Sequence, residues 1–195
     1  MNEEEVKDAI INYFQKRKGR WEEYNDKSKP VGQIGWDLSF VRPNAVLHIE
    51  VKGITRDFDS PFIAAIGAVL MRRGDDVLTN RGKPNWCARY CIAFNTDRKN
   101  KYDLIRALFY KLSRPDALAN WDLLTTAKAK YVYLVRNSDK KVLELKWKQV
   151  TTLVTNYLKK IKLHGISPDF NKNSNAKKIK QLKIIEKMFD NETWV

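Results

Sequence analysis

Between Glu3 and Arg17 the apolar residues recur at helical spacing, with Val6, Ala9, Ile10, Tyr13 and Phe14 on one face. That pattern predicts an amphipathic helix, and Gly19 ends it. Arg20 to Tyr24 reads as a first strand. Ile34 to Phe40 and Ala45 to Lys52 are aliphatic-rich with a period near two, which predicts two further strands. Arg42-Pro43-Asn44 supplies the turn between them, because Pro fixes φ and Asn tolerates unusual backbone angles. Ser60 and Pro61 suit an N-cap and first helical position, and Phe62, Ile63, Ile66, Val69 and Leu70 give that helix its apolar face. Trp86 to Asn95 reads as a strand, and Asp103 to Leu112 and Ala117 to Ala127 as helices.

In the C-terminal third, Tyr131 to Arg136 and Lys141 to Lys146 predict a hairpin around Asn137-Ser138-Asp139-Lys140. Trp147 to Lys162 is expected to be helical, with Val150, Leu153, Val154, Tyr157, Leu158 and Ile161 inward. A polar linker, Gly165 to Asn175, precedes a last helix, Ala176 to Phe189, capped by Ser174. Its stripe is Ile179, Leu182, Ile185 and Phe189, and Lys177, Lys178, Lys180, Lys183 and Lys187 cover the rest. The division that follows is one domain over residues 1–165, then a linker and basic C-terminal helix over 166–195, docked on the core or on a second subunit, with a helix lying along a phosphate backbone as the alternative.

The candidate chemistry lies on the first hairpin. With the turn centred on Pro43-Asn44, Asp37 falls opposite Glu50. Side chains two apart on a strand share a face, so Glu50 and Lys52 project with Asp37. Two carboxylates side by side stay ionised together most easily with a cation between them. Oxygen donors in an incomplete cage suit Mg²⁺, with Mn²⁺ as a substitute, and the Val51 carbonyl offers a further ligand. Lys52 is placed to hold or deprotonate a water, or to stabilise charge on phosphorus. Glu-x-Lys on an exposed strand is also an ordinary solvated pair, so the facing Asp carries much of the argument.

Asp37, then Glu50-Val51-Lys52 followed by Gly53, with Leu47, Ile49 and Val51 on the opposite face, resembles the PD-(D/E)XK nuclease superfamily. Trp36 stands where that family often has Pro before the Asp. The resemblance covers roughly residues 1–95. It implies an α/β fold: a mixed central β-sheet flanked by helices, an αβββαβ core of restriction-endonuclease-like type, with a helical C-terminal extension. It implies a Mg²⁺-dependent endodeoxyribonuclease of restriction, homing or resolvase type, with Asp37, Glu50 and Lys52 catalytic and Asp37, Glu50 and Val51 binding metal. It also implies that a Glu on the first helix can reach the metal. Glu3 lies nearest the apolar face, Glu5 on its flank and Glu4 outside, yet each taken singly is explained as complementing the helix dipole.

The 195 residues carry a formal net charge of +14, unevenly spread. Residues 1–60 hold 10 Lys and Arg against 11 Asp and Glu, residues 61–130 hold 13 against 6, and residues 131–195 hold 14 against 6. The acidic pair therefore sits in the one third that is not basic, and the remainder fits a polyanion. Arg72, Arg73, Arg81 and Lys83 are candidate phosphate contacts. The expected partner is DNA, double-stranded or branched, and a homodimer is expected if both strands are cut.

Two alternatives stay open: a non-catalytic nucleic-acid-binding module, and a nuclease-fold subunit of a larger transposition or defence assembly. No apolar run is long enough for a membrane span, and the acidic N-terminus is unlike a secretory signal, so a cytoplasmic protein in a prokaryotic, phage or mobile-element setting is expected. No Gly-rich nucleotide motif or nucleophile elbow occurs, so no nucleotide cofactor is expected. Cys87 and Cys91 read as buried thiols, too far apart along one strand to bridge. With His48 and His164 the only histidines, a His-based catalytic group is disfavoured.

Overall fold

The computed structural model describes residues 1–17, 22–23, 37–42, 45–54, 61, 64–71, 87–96, 129–167, 172–189 and 195. Helix α1 spans Glu3–Lys16 and begins with reciprocal capping: Asn2 Oδ1 accepts from Glu5 N–H at 2.9 Å, and Glu5 Oε2 accepts from Asn2 N–H at 2.8 Å. The five residues expected on its apolar face are all buried. Strands follow as β1 (Glu22–Glu23), β2 (Leu38–Arg42) and β3 (Ala45–Lys52), then a helical stretch α2 (64–71), β4 (Cys87–Thr96), β5 (Ala129–Arg136) and β6 (Val142–Lys146). Two helices complete the described chain, α3 (Trp147–Leu163) and α4 (Asn175–Phe189).

The six strands form one sheet in chain order. β1–β2, β2–β3 and β5–β6 pair antiparallel, while β3–β4 and β4–β5 pair parallel, so the sheet is mixed. The two parallel steps need crossovers, and α2 lies in the first of them.

Each face of the sheet has its own core. On one, α1 packs over Phe40, Leu47, Ile49, Val51, Cys91, Ala93 and Tyr133. On the other, Ala65 and Val69 of α2, Val150, Tyr157 and Ile161 of α3, and Ile185 of α4 cover Ile92, Phe94, Val132, Leu134, Leu143 and Leu145. The alternation along β3 and β4 is the direct consequence of the two-residue strand period.

The last helix docks on α3, but rotated from the expected stripe. Ile179 is 56% exposed, whereas Gln181 is fully buried. Gln181 donates to Tyr157 Oη and its Oε1 accepts from Asn173 Nδ2 at 2.8 Å, so a polar side chain with partners takes the inward position. Ser174 Oγ accepts from Lys177 N–H at 3.4 Å, as expected of its cap. The predicted helices at 103–112 and 117–127, with residues 62–63, 34–36 and the side chain of Cys87, lie outside the described residues. Cys91 is buried on the α1 side of β4, and burial pushes its thiol well above the usual range.

Candidate active site at the end of strand β3

The β2–β3 ladder pairs Leu38 with Ile49, Ser39 with His48 and Arg42 with Ala45. One further step places Asp37 beside Glu50, as the turn chemistry predicts. Asp37 is not itself in the ladder. Its Oδ2 accepts from Val51 N–H at 2.8 Å, which fixes the carboxylate against the neighbouring strand. Glu50, His48 and Lys52 share its side of the sheet, because they alternate with Leu47, Ile49 and Val51, which face α1.

Lys52 is the centre of the cluster. Its Nζ lies 2.7 Å from Glu50 Oε1, 3.7 Å from Asp37 Oδ2 and 3.8 Å from Glu3 Oε2. The Asp37 and Glu50 carboxylates are thus no farther apart than one ammonium can span. Glu50 is only 1% exposed, Asp37 16% and Lys52 21%. Burial alone would lower the Lys52 value; the hydrogen bond and charge of Glu50, then Asp37 and Glu3, outweigh it and raise the ammonium above its ordinary range.

Helix α1 adds two groups, and a glycine lets it. A Cβ on Gly53 would meet Glu3 N at 2.6 Å and Asn2 C at 2.9 Å, so the helix start rests directly on the backbone leaving β3. Glu3 reaches Lys52 as a result. Dipole complementation therefore does not exhaust its role. Glu5 turns away, toward the Met1 ammonium at 3.9 Å and Lys140 at 3.2 Å, and Glu4 pairs with Lys7 at 2.9 Å. Lys7 is the residue that sequence reasoning missed: its Nζ is 3.9 Å from Asp37 Oδ1 and 3.5 Å from Glu3 Oε1. Burial opposes its charge, but Glu4, Asp37 and Glu3 together raise it. The only sequence signal was its i+4 spacing from Glu3.

Asn95, at the end of β4, clamps the same region from the other side. Its Oδ1 accepts from Ile54 N–H at 2.5 Å, and its Nδ2 donates to the Ile54 carbonyl and to Asn137 Oδ1, both at 3.1 Å. Along β3, away from the cluster, His48 Nδ1 lies 2.9 Å from Ser39 Oγ and its ring stacks on Tyr90.

Among the described residues no group of three or more His, Cys, Asp and Glu side chains is gathered to hold a metal. The donors available to a metal here would be the two carboxylates of Asp37 and Glu50 and, at most, the Val51 carbonyl. That sparse oxygen set fits Mg²⁺, which keeps several waters, and not a closed zinc site. The Lys52 ammonium, lying against both carboxylates, shows that positive charge is drawn to this point. Arg72, Arg73, Arg81 and Lys83 lie outside the described residues. No helix among those described is long and apolar enough to cross a membrane. No protein family matches the chain, and no curated protein or solved structure does.

Proposed function

We propose that this chain is a Mg²⁺-dependent nuclease that hydrolyses DNA phosphodiester bonds at the end of β3. The observation that carries the reading is the meeting of Asp37, just before β2, and Glu50 of β3 on Lys52. The order helix, three strands, helix, strand over residues 3–96 supports a restriction-endonuclease-like core.

Asp37 and Glu50 would hold the metal, which when bound neutralises the phosphate and makes the attacking water more acidic. The remaining roles fall to side chains. Asp37 is oriented by the Val51 amide. A water oxygen forms the new bond to phosphorus as its proton passes to solvent, the bridging P–O bond breaks, and the leaving oxygen takes up a proton from solvent. Lys52, whose raised value keeps it charged near neutral pH, stabilises the negative charge that builds on the phosphoryl oxygens and serves poorly as a base. One site per chain cuts one strand, so a homodimer would cut both.

The test is cleavage of supercoiled and linear plasmid and of branched DNA, with Mg²⁺ or Mn²⁺ and with EDTA. Metal-dependent nicking that disappears in Glu50→Gln is expected. A wild-type chain that binds every DNA form and cuts none would leave a non-catalytic binding module.

A further inference from the structure

The outward surface of α3 and α4 is charged in a way the cluster at β3 does not account for. α3 contains four lysines and no acidic residue. Lys148, Thr152, Thr155, Lys159 and Lys162 follow one another at helical spacing and are all exposed, on the side opposite Val150, Tyr157 and Ile161. On α4, Lys180, Lys183 and Lys187 lie at i, i+3 and i+7, exposed and opposite Gln181 and Ile185. The two helices are joined by the Tyr157–Gln181 contact, and Lys177 Nζ donates to the Gly165 carbonyl at 2.7 Å, closing the connection.

Every described lysine around the carboxylate cluster (Lys7, Lys52 and Lys140) has an acidic partner. No described acidic side chain pairs with Lys159, Lys162, Lys180, Lys183 or Lys187; that of Glu186 on α4 lies outside those described. With Lys148, Lys159, Lys162, Lys180, Lys183 and Lys187 on the described exposed face of the two helices and no acidic residue in α3, the surface favours an external polyanion.

We propose that the outer face of the α3–α4 layer is a docking surface for the phosphate backbone of duplex nucleic acid. The stripe from Lys148 to Lys162 is about 21 Å long at 1.5 Å per residue. Over that length a duplex presents about 12 phosphate charges. The layer lies on the same side of the sheet as the carboxylates: Glu50 and Lys52 are in parallel register with Ile92 and Phe94, which belong to the core under α3 and α4. From β3 to β5 is two strand spacings, about 10 Å. A duplex held on the lysines therefore approaches the side on which Glu50 projects. The inference extends the nuclease reading to a second surface and borrows from it only the kind of polyanion; it requires no cleavage.

The experiment measures the Kd of the full chain for a mixed-sequence DNA duplex in EDTA across a range of salt concentrations. The triple variant Lys159→Glu, Lys162→Glu, Lys183→Glu is set against a control with equal charge change elsewhere: Lys16→Glu, Lys130→Glu, Lys141→Glu. These positions are exposed, so all variants should fold, which circular dichroism checks. The patch variant is expected to bind about a hundredfold or more weakly at moderate salt, with its log–log salt slope smaller by about 2.7. The control should lose far less. Equal loss in both variants would overturn the proposal, since net charge alone would then explain binding. So would equal or tighter binding to polyglutamate or to phosphatidylserine vesicles at the same salt, which would make the partner an acidic protein or a membrane. Because EDTA abolishes any cleavage, loss of docking and loss of hydrolysis are read separately.

Discussion

Lys52→Met tests whether the cluster at β3 is a coupled electrostatic unit. The change keeps an unbranched side chain of similar length and removes the cation seated 2.7 Å from Glu50 Oε1. Breaking a buried pair from one side costs about 3–5 kcal/mol, because a charge is left behind. Lys52 is 21% exposed, so water already shares in the solvation of this pair and about 2–3 kcal/mol is expected. For a chain of this size that lowers Tm by about 5–10 °C. Glu50→Gln leaves the ammonium near Asp37 and Glu3 and should cost about 1 kcal/mol. The double variant places a neutral amide beside a thioether. It should be more stable than the sum of the single effects implies, by about 1–2 kcal/mol. Urea unfolding followed by tryptophan fluorescence gives all three values. Additivity within about 0.5 kcal/mol would mean that the two side chains do not interact, and the convergence on which the nuclease reading depends would be lost.

The same variant gives a second, non-catalytic readout. Removing the ammonium removes the competitor for the two carboxylates. Mg²⁺ at ten times its Kd stabilises the folded chain by about 1.4 kcal/mol, and saturation should occur at lower Mg²⁺ in Lys52→Met than in wild type. A Tm of Lys52→Met indifferent to Mg²⁺ would show that Asp37 and Glu50 do not bind it.

Gly53→Ala brings a Cβ to 2.6 Å from Glu3 N, a backbone atom that moves only with the helix; a loss of about 1–3 kcal/mol is expected, with weaker Mg²⁺ binding if Glu3 assists, both measurable by thermal shift. Asn95→Ala leaves both backbone groups of buried Ile54 without the partners it supplied, so a cost of about 2–4 kcal/mol and reduced cleavage at unchanged DNA affinity are expected; a stable variant that cleaves normally would show that the clamp does not position Lys52. Alkaline pH should destabilise the fold. Burial raises the Cys91 thiol above its ordinary 9.0 and the Tyr133 phenol above its ordinary 10.0, so the folded chain keeps protons that the unfolded chain releases. This stabilisation is complete below those ordinary values and is lost as pH rises above them, so the urea midpoint should fall beyond about pH 9, and a flat midpoint would contradict the burial.

The hairpin was legible because two local rules act together. The sequence Pro43-Asn44, itself outside the described residues, predicts where the chain reverses, and the two-residue period then assigns each side chain to a face, so the register of β2 on β3 follows without knowledge of the rest of the chain. The α1 face was legible for the same kind of reason. Lys7 and the position of Glu3 were not. They depend on how closely the helix start lies on Gly53, and a close approach between distant segments leaves no periodic trace. Gln181 escaped because pattern reading assumes an apolar inward face, whereas here Tyr157 and Asn173 satisfy an amide. Both cases are tertiary contacts overriding local preference.

The cluster is hard to explain as a device for stability. Glu50 occupies a position as buried as Ile49 and Val51 beside it. A leucine there, with an apolar residue at 52, would avoid the desolvation of two charges, and such replacements are often neutral or stabilising. Lys52 offsets that cost only in part, because its ammonium is shared among Glu50, Asp37 and Glu3 at increasing distance. The three carboxylates of Glu3, Asp37 and Glu50 and the two ammoniums of Lys7 and Lys52 leave the cluster with a net charge of −1. A divalent ion entering it would overcompensate that charge, which favours phosphate arriving with or after the metal. The same arithmetic separates this place from the lysines of α3, a helix that contains no acidic residue. A substrate polyanion would thus be drawn first to the lysines, and its phosphate would be accepted at β3 only once a cation had reversed the sign of the charge there.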